Sequence, residues 1–323
     1  MRICPESDAA HFRVFSPTQG DLMKSQSVAI PAIAADALLP RLAVLGAVVL
    51  WGASFSTMRI ALQDLHPWSV MWLRMMIALM CILPLYRTIN LSAYRKGDWK
   101  LLLPAVILQP CLYFWLESAA LGLTTSAQAG IISASVPLLV AVGAWLLLKE
   151  PMSARITAGL LLSLAGVAVL TMGGTATEAA PSPLLGNSLE FLAMVCAAAN
   201  MILIRILGRR YDAWTLTVMQ VVTGCIFFSP GLIHLTHVPE GVFNPRMISI
   251  LLFLGAGVTL GAFSLYNWAI TRMPASTASA HINLIPVVAV GCGFVFLGES
   301  LNAMQWAAAG VVLCSVLMTQ KFN

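Results

Sequence analysis

The chain has 323 residues, of which 59 % are hydrophobic and only 10 % carry a charged side chain. Soluble proteins carry about 25 % charged and about 45–50 % apolar residues, so this chain has too few charges to cover a water-facing surface. With a mean hydropathy of +0.87, the composition excludes a soluble enzyme, a disordered protein and a nucleic-acid binder. The net charge of +5 requires no polyanionic partner, because basic residues of membrane proteins collect in cytoplasmic loops.

A polar amino-terminal segment precedes a series of apolar runs, each about as long as the roughly 20 residues that a helix needs to cross a bilayer. Residues 1–40 mix acidic and basic side chains without a cleavable signal pattern, and we expect them to form a flexible cytoplasmic tail. The sequence then predicts an all-α integral membrane protein with ten transmembrane helices. The predicted spans cover residues 42–62, 68–87, 100–121, 125–148, 154–173, 187–207, 213–235, 247–270, 276–298 and 302–320.

The positions of lysine and arginine indicate the orientation in the membrane. With the amino terminus inside, nearly all of the 18 basic residues fall in the tail or in loops on that same side. The exceptions are Arg59, Arg74 and Arg246. Because cytoplasmic loops carry the excess of Lys and Arg, we expect a multi-pass protein of the inner or plasma membrane with both termini in the cytoplasm.

The chain contains a weak internal repeat. The segment Pro137–Glu150 has a counterpart in Pro286–Glu299, and the two prolines and the two glutamates are each separated by 149 residues. The repeat divides the chain into 41–173 and 187–323, joined by a linker over 174–186, with five predicted spans in each half. Because five is odd, the second half must cross the membrane in the opposite direction, and inverted repeats of this kind are typical of secondary transporters.

The two matching prolines predict where these helices are interrupted. Pro137 lies near the middle of the fourth span and Pro286 near the middle of the ninth. Interruptions at matching depth in two inverted halves indicate a central binding site. The alternative is a pair of ordinary kinks, since proline is common in membrane helices.

Short motifs at the starts of the first two spans add a family resemblance. The first span contains Trp51-Gly-Ala-Ser-Phe-Ser-Thr-Met-Arg59, and the second opens with Pro67 and continues to Arg74. With the repeat and its terminal Glu299, these residues resemble the drug/metabolite transporter superfamily, and within it the EamA-type permeases with two EamA repeats, over about residues 42–320. The resemblance implies movement of small metabolites, often amino acids or their derivatives, by alternating access, with export as the expected direction.

Ionisable side chains inside predicted spans are the first candidates for transport, because each costs about 2.5–3.5 kcal/mol on insertion scales and needs a partner or a task. Four stand out: Arg74, Glu117, Glu190 and His281. Glu117 forms a stripe with Gln109 and Tyr113 at intervals of four residues, and such a stripe should face the bundle interior. Arg74 lies at similar depth and could pair with Glu117. A structural ion pair, a substrate contact and a proton-binding role stay open for this pair.

Polar and aromatic side chains at central depth complete the predicted substrate pathway. These are Trp51, Gln128, Ser135, Asn200, Tyr266, Asn267, His281 and Asn283. The alternative for each polar member is an interhelical hydrogen bond, worth about 0.6 kcal/mol. Glu150 and Glu299 lie just beyond their spans, and we expect them to cap the following helix or to fix a tight turn.

The sequence thus predicts a secondary transporter rather than an enzyme. Its expected partners are a small-molecule substrate and the lipid bilayer, with a coupled proton left open and no nucleic acid, metal or cofactor. One alternative is an integral-membrane enzyme, which needs acids, histidines or cysteines clustered at one face. Only His234 and His237 are close neighbours, and no third metal ligand is evident. The other alternative is a channel or structural membrane protein, for which an inverted repeat has no evident use.

Overall fold

A computed structural model describes residues 31–84, 94–149, 153–174, 176–178, 180–270 and 281–319. Within these ranges the regular structure is helical, apart from an isolated antiparallel bridge between Thr177 and Ala180. The α-helices are α1 (Pro31–Asp64), α2 (Pro67–Ile82), α3 (Trp99–Val106), α4 (Tyr113–Leu121), α5 (Ser126–Ser133), α6 (Val136–Leu148), α7 (Ala154–Met172), α8 (Pro183–Leu207), α9 (Ala213–Phe227), α10 (Gly231–Leu235), α11 (Pro245–Leu252), α12 (Phe263–Ile270), α13 (Ile285–Leu297) and α14 (Ala303–Thr319). Two π-helical segments, Ile107–Leu112 and Phe253–Ala262, join α3 to α4 and α11 to α12.

Six helical stretches in the described part of the chain are long and apolar enough to cross a membrane. They are Leu38–Asp64, Trp99–Leu121, Ser126–Leu147, Ala154–Met172, Pro183–Leu207 and Pro245–Tyr266. Four shorter apolar helices, Pro67–Ile82, Ala213–Phe227, Ile285–Leu297 and Ala303–Ser315, lie at the other predicted spans. The prediction of an all-α membrane protein is confirmed, whereas the count of ten spans stays a prediction.

The fourth and ninth predicted spans are interrupted at matching positions. α5 ends at Ser133, a turn follows at residues 134–135, and α6 begins at Val136 with Pro137 in its first turn. A turn at residues 283–284 likewise precedes α13, which carries Pro286 in its first turn. Proline is favoured there because the first N–H groups of a helix have no intrahelical partner. Each proline therefore opens a new helical segment instead of kinking a continuous one.

The third predicted span is also broken, at Gln109. This residue has extended backbone angles (φ −144°, ψ 123°) between the helical residues on either side, and the Gln109–Pro110 peptide bond is cis. The break frees backbone carbonyl groups, which need other donors inside a membrane. The Asn200 side chain donates to the carbonyl oxygen of Ala105 at 2.7 Å, and the Gln220 side chain donates to that of Gln109 at 3.0 Å.

Most helix packing joins the first predicted repeat to the second. α5 packs against α13, α7 against α14, and α4 against α8. Where α5 meets α13, a Cβ placed on Gly130 would overlap the methyl group of Ala289, so this close approach depends on glycine. The two halves of the chain therefore interlock around one shared interior.

Candidate functional site

A central cavity, with about 670 Å³ of empty space when the open solvent at its mouth is included, opens between the two sequence repeats. Its polar lining comes from Ser54, Arg74, Gln109, Tyr113, Glu117 and Ser133. Its aromatic lining comes from Trp51, Phe55, Phe114 and Phe263. Small-molecule sites combine apolar walls with a few well-placed polar groups, and this cavity has both.

One wall of the cavity is formed by the predicted polar stripe. The Tyr113 hydroxyl donates a hydrogen bond of 2.5 Å to Oε1 of Glu117, one helical turn further along α4. Gln109 also lines the cavity, although its backbone is extended rather than helical. The stripe therefore reaches the cavity from a broken span, and the helical four-residue spacing holds only between Tyr113 and Glu117.

Arg74 brings a buried positive charge to the same cavity. Only 2 % of this residue is exposed. Its Nε donates to the Thr259 hydroxyl at 2.7 Å, and its guanidinium carbon lies 4.2 Å from the centre of the Phe114 ring, within cation–π range. Arg74 interacts with Glu117 across the cavity electrostatically, but these two described side chains form no direct ion pair of 4.0 Å or less. The guanidinium is thus anchored by the second and eighth spans while facing the carboxyl of the third.

A second carboxyl lies close to the first. Glu190 on α8 is fully buried, and neither of its carboxyl oxygens has a hydrogen-bond partner among the described residues. It is close enough to Glu117 and Tyr113 to interact with both electrostatically. α8 packs against α4, and Met194, one turn beyond Glu190, lines the cavity. Glu190 itself is not among the residues that line the cavity.

A buried polar network surrounds Asn187, one turn before Glu190 on α8. The Thr124 hydroxyl donates to the Asn187 side-chain oxygen at 2.6 Å, and the Asn187 amide donates to Gln128 Oε1 at 2.9 Å and to the Thr171 hydroxyl at 3.3 Å. We call this end of the bundle the Thr124 side, which the predicted topology places outside the cell. The network joins three spans. The contacts of Gln128 are therefore interhelical hydrogen bonds, the alternative to a place in the substrate pathway.

Glu299 joins the second half of the chain to the first on the Thr124 side. Its carboxylate accepts hydrogen bonds from the backbone N–H groups of Ser126 and Ala127, each at 2.9 Å, and from the Ser126 hydroxyl at 2.8 Å. Arg59, which also donates to the Thr124 carbonyl, lies 3.5 Å away. Of the two roles expected for Glu299, capping of the following helix is wrong, because Glu299 caps α5 and Asn302 caps α14; the role in fixing a tight turn stays a prediction. Ser126 and Glu299 are 173 residues apart, so no local signal in the sequence indicates this contact.

The structure divides the predicted pathway residues into two groups. Trp51, Arg74, Gln109, Tyr113 and Glu117 line the cavity. Of the other described candidates, Gln128 and Asn200 bond to neighbouring spans, and the Tyr266 ring packs against Trp51 with centroids 5.2 Å apart. His281 is half-buried, and the side chain of Asn267 lies outside the described part of the structure.

Two further pathway candidates lie beside the helix breaks. The Ser135 hydroxyl and the Asn283 side-chain amide are buried, and neither has a hydrogen-bond partner within the described ranges. Their neighbours Val136 and Ile282 line the cavity. The matching prolines thus lie next to the cavity, with an unpaired polar group at each break.

Some cavity residues were not among the sequence candidates. Ser54 and Phe55 follow Trp51 at the three- and four-residue intervals of one helix face, which is a signal that could have identified them. Phe114 and Phe263 carry no such signal, since aromatic residues are common throughout membrane helices. Thr259, which holds Arg74, is separated from it by 185 residues.

Two polar clusters lie in or beside the loops between the predicted spans. Asp98 accepts hydrogen bonds from the Tyr211 hydroxyl at 2.7 Å and from Arg210 at 2.6 Å. These contacts, the Tyr211 bond first, lower the pKa of Asp98 below its ordinary value. At the other cluster the His66 and His234 rings stack with centroids 3.6 Å apart. Partial burial and then His234 lower the pKa of His66.

Comparison with known proteins identifies the family. The model of the EamA-like transporter family matches residues 39–172 and again residues 184–320. The chain belongs to the EamA-like transporter family. The resemblance seen in the sequence motifs is thereby confirmed, and the double match reflects two copies of the family's repeat in one chain.

Relatives that match this chain over most of their length are also named as transporters. "Uncharacterized transporter YcxC" of Bacillus subtilis is 28 % identical over 277 residues, which cover 82 % of this chain and 88 % of the relative. An "Uncharacterized transporter" of Archaeoglobus fulgidus is 23 % identical over 273 residues, covering 84 % and 94 %. A crystal structure of another protein superposes with a TM-score of 0.55 at 19 % identity, covering 86 % of this chain and 94 % of that one. That likeness shows a shared fold.

Proposed function

We propose that the protein is a secondary transporter that exports small organic metabolites, amino-acid-like solutes among them, across the inner or plasma membrane by alternating access. The observation that carries this proposal is the central cavity, which combines a buried arginine with a carboxyl and aromatic walls. Membership in a transporter family supports movement of a solute rather than its chemical conversion.

The cavity offers complementary groups to a zwitterion. The Arg74 guanidinium suits a solute carboxylate, since such pairs form strong charge-assisted hydrogen bonds. The Glu117 carboxyl, held by Tyr113 at 2.5 Å, suits an ammonium group. Trp51 and Phe263, with ring centroids 5.4 Å apart, give the apolar part of the solute a surface to pack on.

The broken helices support alternating access as the mechanism. Turns at residues 134–135 and 283–284 interrupt two spans beside the cavity, at positions related by the sequence repeat. Discontinuous helices at the interface of inverted repeats form the solute sites of many secondary transporters. The direction of transport, export, is proposed from the sequence resemblance alone.

Flux through liposomes tests the proposal. Purified protein is reconstituted into liposomes. Radiolabelled amino acids and related metabolites are tested one at a time, and saturable efflux from and influx into the liposomes are measured. We expect Glu117→Gln to reduce flux about tenfold, the effect of losing roughly 1.4 kcal/mol of binding free energy. Glu178→Gln, an exposed carboxyl in a loop, is the matched control and should transport normally. Flux that does not saturate for any solute, or conversion of a solute without its movement, would refute the proposal.

A further inference from the structure

The Glu190 carboxyl has no use in the solute site described above, yet it is one of the most deeply buried polar groups. The residue is fully buried, and both side-chain oxygens lack hydrogen-bond partners in the part of the chain that the structure describes. A charged carboxylate in such a place loses its hydration without gaining a donor in return. A protonated carboxyl avoids that loss, because it carries no net charge.

The groups around Glu190 leave little to stabilise a negative charge. α8 packs against α3, the π-helical segment Ile107–Leu112, α4, α5, α6 and α7. Of their titratable groups, Glu117 and Tyr113 on α4 interact electrostatically with Glu190. α5 and α6 contribute no acidic or basic side chain. Lys100 and Arg155 lie in the first turns of α3 and α7.

Helix geometry separates those two basic residues from Glu190. Arg155 is about 24 Å along α7 from Thr171, at 1.5 Å per residue, and Thr171 bonds to Asn187 next to Glu190. Lys100 lies at the start of the third span, whereas Glu117 lies beyond its break at Gln109, near the other end. Cys111 and Cys196, the thiols of the same packed segments, carry no positive charge that could compensate a carboxylate.

The charges of the cluster can be balanced in one simple way. Arg74 supplies one positive charge, which interacts with Glu117, and Glu117 accepts the hydrogen bond of the neutral Tyr113 hydroxyl. A second ionised carboxyl beside Glu117 would be both uncompensated and repelled, as when two carboxylates share one site. The cluster is therefore neutral when Arg74 and Glu117 are charged and the second carboxyl holds a proton.

We propose that Glu190 and Glu117 form a proton-binding pair, in which Glu190 holds the proton in the conformation seen here. Because Glu117 lines the cavity whereas Glu190 does not, the proton passes between Glu190 and cavity water by way of the Glu117 carboxyl. The exchange of one proton between two carboxyls leaves the total charge unchanged. Its use in driving solute movement rests on the proposed transport function, whereas the proton site itself does not.

Infrared spectroscopy tests the proton site without any solute. Purified full-length protein in nanodiscs at neutral pH should show the C=O stretching band of a protonated carboxylic acid, shifted when water is replaced by heavy water. We expect Glu190→Gln to lose this band, Glu190→Asp to keep it at a shifted frequency, and Glu178→Gln, the exposed control, to leave it unchanged. Size-exclusion profiles and thermal unfolding curves matching the wild type show that each variant is folded.

The possible outcomes separate this proposal from the transport function. Loss of the band in Glu190→Gln supports the proton pair, even if the liposome assay detects no flux. An absent wild-type band, or a band that survives in folded Glu190→Gln, overturns the proton pair, even if solute flux is robust. A carboxylate band of Glu190 that responds to sodium ions also overturns it, because the pair would then hold a metal cation.

Discussion

The contact of Glu299 with the start of α5 gives the sharpest test of how the two halves of the chain are held together. Its side chain is only 2 % exposed and accepts three hydrogen bonds from Ser126 and Ala127. The nearby positive charge of Arg59 and the partial positive charge at a helix amino terminus both favour a carboxylate there. Replacing Glu299 with alanine removes all of these interactions in one step.

The size of the effect follows from what the substitution leaves behind. Two backbone N–H groups of α5 lose their acceptor, at about 1–3 kcal/mol for each unsatisfied buried group. Arg59 loses its carboxylate partner, and breaking a buried pair costs about 3–5 kcal/mol. These terms overlap, and Arg59 keeps its bond to the Thr124 carbonyl, so we expect Glu299→Ala to lower the free energy of unfolding by ~3–5 kcal/mol. Glu299→Gln keeps the shape but loses the charge, and should cost about 2 kcal/mol.

Reversible unfolding in mixed detergent micelles measures these losses. Glu178→Ala, which removes an exposed carboxyl, should leave the free energy of unfolding within about 0.5 kcal/mol of wild type. Ser126→Ala removes one of the three hydrogen bonds and should give an intermediate loss. If Glu299→Ala costs less than about 1 kcal/mol, the typical value of an exposed salt bridge, the contact does not hold the halves together and the reasoning fails.

Three smaller changes test other parts of the structure. Gly130→Val should lower the free energy of unfolding by about 1–3 kcal/mol or more, through overpacking where α5 meets α13. Tyr211→Phe should raise the pKa of Asp98, which contacts of the folded state lower. The stabilisation that the lowered pKa gives is present above the ordinary value near 3.9 and is lost as the pH falls through the folded value. The acid unfolding curves of wild type and variant should therefore converge at low pH. His234→Ala should raise the pKa of His66 partway towards 6.5. A histidine pKa that is lowered by folding reduces the free energy of unfolding as the pH falls below 6.5. In that pH range the free energy of unfolding should therefore fall less for the variant than for wild type.

Hydropathy and internal symmetry were the strongest signals in the sequence, because both depend on residue type and spacing alone. The spacing of 149 between Pro137 and Pro286 recurs in the structure as the spacing between the turns at 134–135 and 283–284. What the sequence did not indicate is that each proline starts a helical segment. That outcome depends on whether the preceding residues continue the helix, which tertiary packing decides.

Side-chain partners were predictable only where they were local in sequence. Tyr113 and Glu117 are four residues apart on one helix, and they bond to each other. Arg74 was expected near Glu117 from depth alone, but its direct partners are Phe114 and the distant Thr259. Among the described residues Glu190 has no hydrogen-bond partner, and this could not be predicted either, since it depends on every span packed around that carboxyl.

The distribution of satisfied and unsatisfied polar groups bears on how the protein could move. On the Thr124 side, Asn187 and Glu299 are each held by several hydrogen bonds, so separating the spans there requires breaking bonds together. At the helix breaks, Ser135 and Asn283 are buried among described residues that offer them no partner, which costs about 1–3 kcal/mol for each group. A rearrangement that brings them to a solute or to water recovers this free energy and offsets part of the cost of opening the Thr124 side. Such a balance is what alternating access requires, because neither conformation can be much more stable than the other.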